Sequence, residues 1–247
     1  MTRFRITLEY DGTDLIGWQE NRQGPSVQSV LRDAIYAFCG VRPDVVAAGR
    51  TDAGVHAIAM VAHFDLPGDY TANTVMRAVN FYLVGRPVAI LSCDIVPDDF
   101  NARFDCVARH YKYIVLNRSA APVLNKNRVW WVPRALDIAA MRNAATRLVG
   151  HHDFTSFRAT QCQAKSPIKT LDVCNITADG DNIIFEFSAR SFLHHQVRNM
   201  VGTLVEIGLG KPYDIDEIFA ARARSAAGPT APASGLYFIS ADYATDD

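Results

Sequence analysis

The chain has 247 residues, 49% of them apolar and 21% charged, with a formal net charge of −1. That composition suits one large domain or two small ones with a sizeable core, and excludes an intrinsically disordered chain. No run approaches the ~18 apolar residues of a membrane span and the N-terminus lacks a signal-peptide core, so a cytoplasmic chain with no membrane partner is expected.

Phe4, Ile6, Leu8 and Tyr10 alternate with Arg5, Thr7 and Glu9, the period of a half-buried strand, and Asp11-Gly12 breaks it. Ser26 caps a helix in which Val27, Val30, Leu31, Ala34, Ile35 and Phe38 hold one face, and Gly40 ends it. A strand follows over 58–64, then a helix over 72–83 capped by Thr71, then a strand over 88–95. This β-α-β-α-β order assigns residues 1–105 to an N-terminal α+β domain.

Residues 106–247 form a second α+β domain by the same reading. A strand over 111–116 precedes a helix that Asp137 caps and Gly150 stops. Strands over 171–177 and 183–189 flank the turn Ala178-Asp179-Gly180-Asp181. A long helix carries Val197, Met200, Val201, Leu204, Val205 and Gly208; a shorter one covers 215–224, and a strand over 236–241 closes the chain. Each half is expected to carry an antiparallel sheet. No residue-level repeat relates them. Segments 118–135 and 151–168 are long connections of the kind that carry function.

The five cysteines, Cys39, Cys93, Cys106, Cys162 and Cys174, include no Cys-x-x-Cys pair and read as reduced thiols. Net charge alone argues against a nucleic-acid partner, but its distribution does not. Arg103, Arg109, Lys112, Arg118, Lys126, Arg128 and Arg134 stand with Asp105 as the only acid among them. A solvated basic face and a phosphate-binding surface both fit. The interleaved Phe104, Tyr111, Tyr113, Trp130 and Trp131 suit base stacking and strands alike.

Gly49-Arg50-Thr51-Asp52-Ala53-Gly54-Val55-His56 lies between a helix and a strand, where a loop can present side chains to a cleft. Two glycines let the backbone bend. An adjacent guanidinium would keep Asp52 ionised and orient it, and an ionised, positioned carboxylate can act as nucleophile or base. On spacing alone, a structural Arg50–Asp52 pair in a turn is the commoner meaning. In Phe192-Leu193-His194-His195-Gln196-Val197-Arg198, the residues His194 and Arg198 share a helix face, while adjacent histidines do not converge on one metal ion. Asp153-Phe154-Thr155-Ser156-Phe157-Arg158 fits a loop folded on two buried rings as well as it fits RNA contact. No Walker loop, dinucleotide fingerprint or serine-hydrolase elbow is present.

Taken in order, these segments resemble the tRNA pseudouridine synthase A family. The likeness runs from Glu9-Tyr10-Asp11-Gly12 and Gly17-Trp18-Gln19, through the Asp52 segment and Pro97-Asp98-Asp99-Phe100-Asn101-Ala102-Arg103-Phe104, to Arg109-His110-Tyr111-Lys112-Tyr113, Asp153-Phe154-Thr155-Ser156-Phe157, the 194–202 segment and Gly235-Leu236-Tyr237. The resemblance implies two ferredoxin-like (RRM-like) halves whose sheets merge around a cleft. It also implies isomerisation of uridine in the tRNA anticodon stem-loop by a homodimer, without cofactor or metal. In it Asp52 matches the nucleophile, Arg198 the arginine paired with it, and Tyr111 the tyrosine that packs on the target base. Leu236 matches an apolar residue of the pocket, and Arg50 would contact RNA or the flipped nucleotide. The sequence departs from the family at Asp14-Leu15-Ile16 and over 83–90, which bears on loop conformation and the choice of uridine. Two alternatives stand beside this reading. One is a catalytically silent tRNA-binding protein on the same fold. The other is a carboxylate-dependent glycosidase, which would want a second acid near Asp52.

Overall fold

A computed structural model describes residues 1–244. In chain order it runs β1 (Thr2–Tyr10), α1 (Val27–Cys39), β2 (Val46–Ala47), β3 (His56–Leu66), α2 (Ala72–Leu83), β4 (Val88–Val96), β5 (Cys106–Leu116), β6 (Trp130–Trp131), α3 (Ile138–Thr146), β7 (Gly150–Asp153), β8 (Ile168–Leu171), β9 (Val173–Asp179), β10 (Asn182–Ala189), α4 (Gln196–Gly208), α5 (Ile215–Ala221) and β11 (Leu236–Tyr243). Two compact units divide it: Met1–Arg109 together with the chain from Tyr237 onward, and His110–Leu236.

In the first unit, β1 pairs antiparallel with β3 on one side (Phe4↔Phe64) and β4 on the other (Phe4↔Ile95). Phe4, Ile6 and Leu8 face inward with Met60, Ala62 and Phe64, and all are fully buried, as are Leu31, Ile35, Val75 and Val79 of the helices. Local signals set the helices. The Ser26 side chain accepts from Ser29 N–H, and Gly40 turns left-handed at φ 71° to stop α1. Thr71 caps α2 in the same manner. The two-residue β2 pairs antiparallel with β3 (Val46↔His63, Ala47↔Ala62). The β-α-β-α-β order read from sequence is therefore corrected to β-α-β-β-α-β, a ferredoxin-like pattern. Two residues are too few to show a period. The strand expected over 58–64 begins earlier, at His56, where β11 joins it in parallel (Tyr237↔His56, Phe238↔Ala57). The unusual 83–90 segment is pinned: Asn80 brackets Ile90 with both amide atoms at 2.8 Å, and Asp11 N–H donates to the Pro87 carbonyl at 3.0 Å.

The second unit has the strand order β5-β10-β9, with α3 before β9 and α4 after β10. β9 and β10 form the expected hairpin, with Gly180 at φ 57° in its turn. The helix expected to run to Gly150 ends at Thr146 instead. Gly150 (φ 120°) opens β7, which pairs with β8 (Gly150↔Leu171). A pairing partner some twenty residues away overrides the local helical pattern. Part of the 118–135 connection becomes β6, parallel to β5 (Val115↔Trp130). The cysteines are all free thiols, and burial pushes Cys93 and Cys174 up to about 12. Among the described residues no helix is long and apolar enough to cross a membrane.

Candidate active site

The Asp52 loop joins β2 to β3 and is clamped by the end of β1 and the chain that follows it. Trp18 N–H donates to the Thr51 carbonyl at 3.0 Å, and Gly54 N–H to the Leu15 carbonyl at 3.2 Å. Val55 N–H returns to the Asp52 carbonyl at 3.2 Å, closing the turn with Gly54 at φ 79°. The buried Thr51 hydroxyl lies 2.8 Å from the Tyr10 hydroxyl. Gly12 N–H donates to His56 Nδ1 at 3.1 Å, and the His56 ring stacks on Tyr237 at 4.8 Å.

Two glycines permit this clamp. A Cβ on Gly12 would stand 2.1 Å from the Val55 carbonyl oxygen. At Gly17, already at φ 100°, it would stand 2.5 Å from the Thr51 carbonyl oxygen. The Tyr10-Asp11-Gly12 and Gly17-Trp18 segments therefore serve the Asp52 loop directly, a role the sequence alone did not reveal. The result is a half-buried Asp52 whose own backbone is fixed on both sides.

Arg50 is exposed, and among the described residues no ion pair joins it to Asp52. The structural Arg–Asp pair considered from spacing is thereby corrected: the Arg50 side chain is exposed and joins no carboxylate among the described residues. Arg109, buried, enters the loop from behind. Its Nε donates to the Ala48 carbonyl at 2.8 Å and its Nη2 to the Arg103 carbonyl at 2.6 Å.

In the second unit, Arg198 sits in the first turn of α4. Its Nε donates to the Ala231 carbonyl at 2.8 Å, and Ala231 N–H returns to the Arg198 carbonyl at 3.1 Å. His195 takes the N-cap position in left-handed conformation (φ 62°). Behind Arg198 lies a buried polar network that sequence reading missed. Asn199, fully buried, accepts on Oδ1 from Thr230 Oγ1 (2.6 Å) and Arg224 Nη2 (3.0 Å), and donates Nδ2 to the Phe157 carbonyl (2.8 Å). Thr203 Oγ1 donates to the Asn199 carbonyl and accepts from Gly228 N–H. A Cβ on Gly202 would stand 1.7 Å from the Pro229 carbonyl oxygen. The only available signal was a buried-facing Asn one residue past Arg198.

Tyr111 is half-buried on β5, its ring edge-on to Phe192 at 5.1 Å. Tyr113 shares that strand face by alternation. It is fully buried, donates to the Pro232 carbonyl at 2.7 Å, and burial raises its phenol pKa. Leu236 is buried beside Gly235, which packs against the Tyr113 ring. Phe154 and Phe157 are fully buried, so the 153–158 segment spends both rings on packing. Burial opposes ionisation of Asp153, but hydrogen bonds from Thr155 and the charges of Arg222 and Arg158 prevail and hold its carboxyl low.

A ferredoxin-like unit presenting a braced aspartate, with an arginine-bearing helix on the second unit, is the class of RNA-modifying isomerase the sequence motifs anticipate. Residues 144–244 match the family model described as "tRNA pseudouridine synthase". The chain is 53% identical over 245 residues to the "tRNA pseudouridine synthase A" of Paramagnetospirillum magneticum, covering 98% of this chain and 96% of that one. It is 54% identical to that of Rhodospirillum centenum (98% and 100% covered) and 47% identical to that of Bartonella bacilliformis (98% and 100%). The chain belongs to the tRNA pseudouridine synthase A family. A chain in the solved "Crystal Structure of a Cbf5-Nop10-Gar1 Complex" matches at TM-score 0.41 and 9% identity, over 96% of this chain and 49% of that one, too weakly to bear on the fold.

Proposed function

We propose that this chain isomerises uridine to pseudouridine in the anticodon stem-loop of tRNA, with Asp52 as the nucleophile. The observation that carries the reading is the clamp on the Asp52 loop, in a chain of this family. A half-buried carboxylate on a backbone without slack is what an attack on one atom of a bound nucleotide needs.

The reaction breaks the C1′–N1 bond and forms C1′–C5; the C5 proton leaves and N1 gains one, so the composition is unchanged. Asp52 attacks C6 of the base or C1′ of the ribose, and is released when the base re-attaches through C5. A stacked base must first be extruded, at a cost of a few kcal/mol that phosphate contacts and stacking offset. The half-buried Tyr111 suits packing on the extruded base, and the buried Leu236 suits the apolar wall behind it. Arg198 supplies the positive charge that the reacting carboxylate needs, and Arg50, exposed beside Asp52, contacts the RNA. The homodimer and the cytoplasmic setting enter this reading with the family.

Mapping pseudouridine in tRNA after incubation with purified protein tests it. Asp52→Asn is expected to form none while still binding tRNA. Turnover by that variant at the wild-type rate would sink the nucleophile assignment.

A further inference from the structure

The turn at 97–105 is fixed residue by residue, yet it ends in an exposed aromatic and a guanidinium that no carboxylate pairs among the described residues. Asn101 Oδ1 accepts from Arg103 N–H (3.0 Å) and Phe104 N–H (3.1 Å). Asp105 Oδ2 accepts from Asn101 N–H at 2.6 Å, and Asp105 N–H donates to the Asn101 carbonyl at 3.0 Å. Ala102, fully buried, donates its N–H to His63 Nδ1 (3.1 Å) and accepts from the Tyr243 hydroxyl (2.7 Å).

From this frame Phe104 projects at 73% exposure, with the Arg103 guanidinium over its ring at 5.8 Å from the centroid. A single exposed Phe is ordinary. One held on a rigid turn and plated by a guanidinium is a stacking surface, since order already imposed need not be imposed by the ligand. No carboxylate pairs with Arg103 or Arg50 among the described residues. Burial lowers the Arg103 pKa, and the charges of Arg50 and Arg109 lower it further. Among the described residues nothing favours this charge, whereas an anion between Arg50 and Arg103 would. Arg109 bridges the Ala48 and Arg103 carbonyls with one guanidinium, so the turn is tied directly to the strand end that feeds the Asp52 loop.

We propose that Arg103 and Phe104, with Arg50, form a subsite for one nucleotide of the substrate RNA beside the reacting uridine: the phosphodiester lies between the two arginines, and an unstacked base lies on Phe104. This rests on the reading of the protein as an RNA-modifying enzyme. RNA is favoured over a protein partner because the site pairs uncompensated guanidinium groups with a flat ring, the combination that single-stranded nucleic acid uses.

The test uses an anticodon-arm RNA hairpin carrying 2-aminopurine in its loop. Phe104→Ala should weaken binding about tenfold and remove the quenching that stacking causes, while Phe104→Trp retains both. Arg103→Ala should weaken binding and lower the slope of log affinity against log salt by roughly 0.7–0.9, while Arg103→Lys keeps the slope. Both side chains are exposed, so thermal unfolding should not change. Binding is read separately from turnover, so a wild-type protein that binds this RNA but forms no pseudouridine fails the isomerase reading and not this one. Unchanged affinity, quenching and salt slope in both alanine variants overturns the subsite. So does a Phe104→Ala protein that binds RNA normally but sediments differently, which would make the patch a contact between copies.

Discussion

Around Asp52 the bracing atoms belong mostly to the main chain: Trp18 and Gly54 amides meet the Thr51 and Leu15 carbonyls, and two glycines let the strands of backbone touch. Around Arg198 side chains enter as well: beside the Ala231 main chain that holds the arginine, Asn199, Thr203, Arg224 and Thr230 share one partly buried network. The difference bears on how each can fail. A backbone clamp has no rotamer with which to absorb an intruding atom. A side-chain network can lose one bond at a time, each loss costing what its orphaned partners cost.

Between the two braces, the larger effect should come from the clamp. In Gly17→Ala, the new Cβ meets the Thr51 carbonyl oxygen at 2.5 Å, at a φ of 100° that L-residues rarely adopt. Something must move, and the nearest thing to move is the residue before Asp52. The expected result is a loss of about a hundredfold or more in kcat from misplacement of the carboxylate, with tRNA affinity retained. Single-turnover pseudouridine formation and tRNA binding, measured side by side, check it. Full activity in this variant would mean that the clamp is slack.

A smaller and different effect is expected from Asn199→Ala. It strips the partly buried Arg224 and Thr230 of their shared acceptor and the Phe157 carbonyl of its donor, at a position that is itself fully buried. Stability should fall by about 3 kcal/mol, the cost of leaving buried polar groups unpaired. Because the network lies behind Arg198, activity below the new melting temperature should fall far less than in Gly17→Ala. Urea unfolding followed by activity assays at low temperature separates the two. Equal losses of activity in both variants would erase the contrast between the units.

The sequence revealed the elements whose causes are local. Ser26, Thr71 and Asp137 each cap a helix with an oxygen that accepts from a residue three positions on, and such a signal lies within one turn of chain. It failed where the cause was distant. The end of α3 depends on β7 finding β8, and β2 exists only because β3 lies beside it. Asp52 could be seen as a carboxylate in a glycine-flanked loop. What could not be seen is why Gly12 and Gly17 matter to it, since that depends on backbone approaches across some forty residues. Arg50 and Asp52 looked paired because they are two apart; an exposed arginine on a clamped turn points elsewhere.

The smallest expected effect concerns a brace that a proton can undo. His63, on β3 and 6% exposed, accepts the Ala102 N–H on Nδ1 and so helps hold the 97–105 turn. Burial, then the charge of Arg3, lowers its pKa below 6.5, against the opposing pull of Asp65, Asp44 and Asp105. Above about pH 6.5 neither the folded nor the unfolded chain holds this proton, and the contribution of His63 to stability is complete. As pH falls through that value the unfolded chain is protonated first. Stability then declines, at no more than ~1.4 kcal/mol per pH unit, until the folded histidine is protonated as well. Asp65 acts in a separate window. The Arg3 hydrogen bond holds its carboxyl below 3.8, so its contribution is present above that pH and is lost below it. His63→Gln keeps an acceptor for Ala102 but cannot titrate. Subtracting its unfolding free energies from those of the wild type, from neutral pH down to about 4.5, should leave a slope that begins near pH 6.5. A flat difference would show that the brace holds equally well with the proton on, leaving the turn fixed by Asn101, Asp105 and Tyr243 alone.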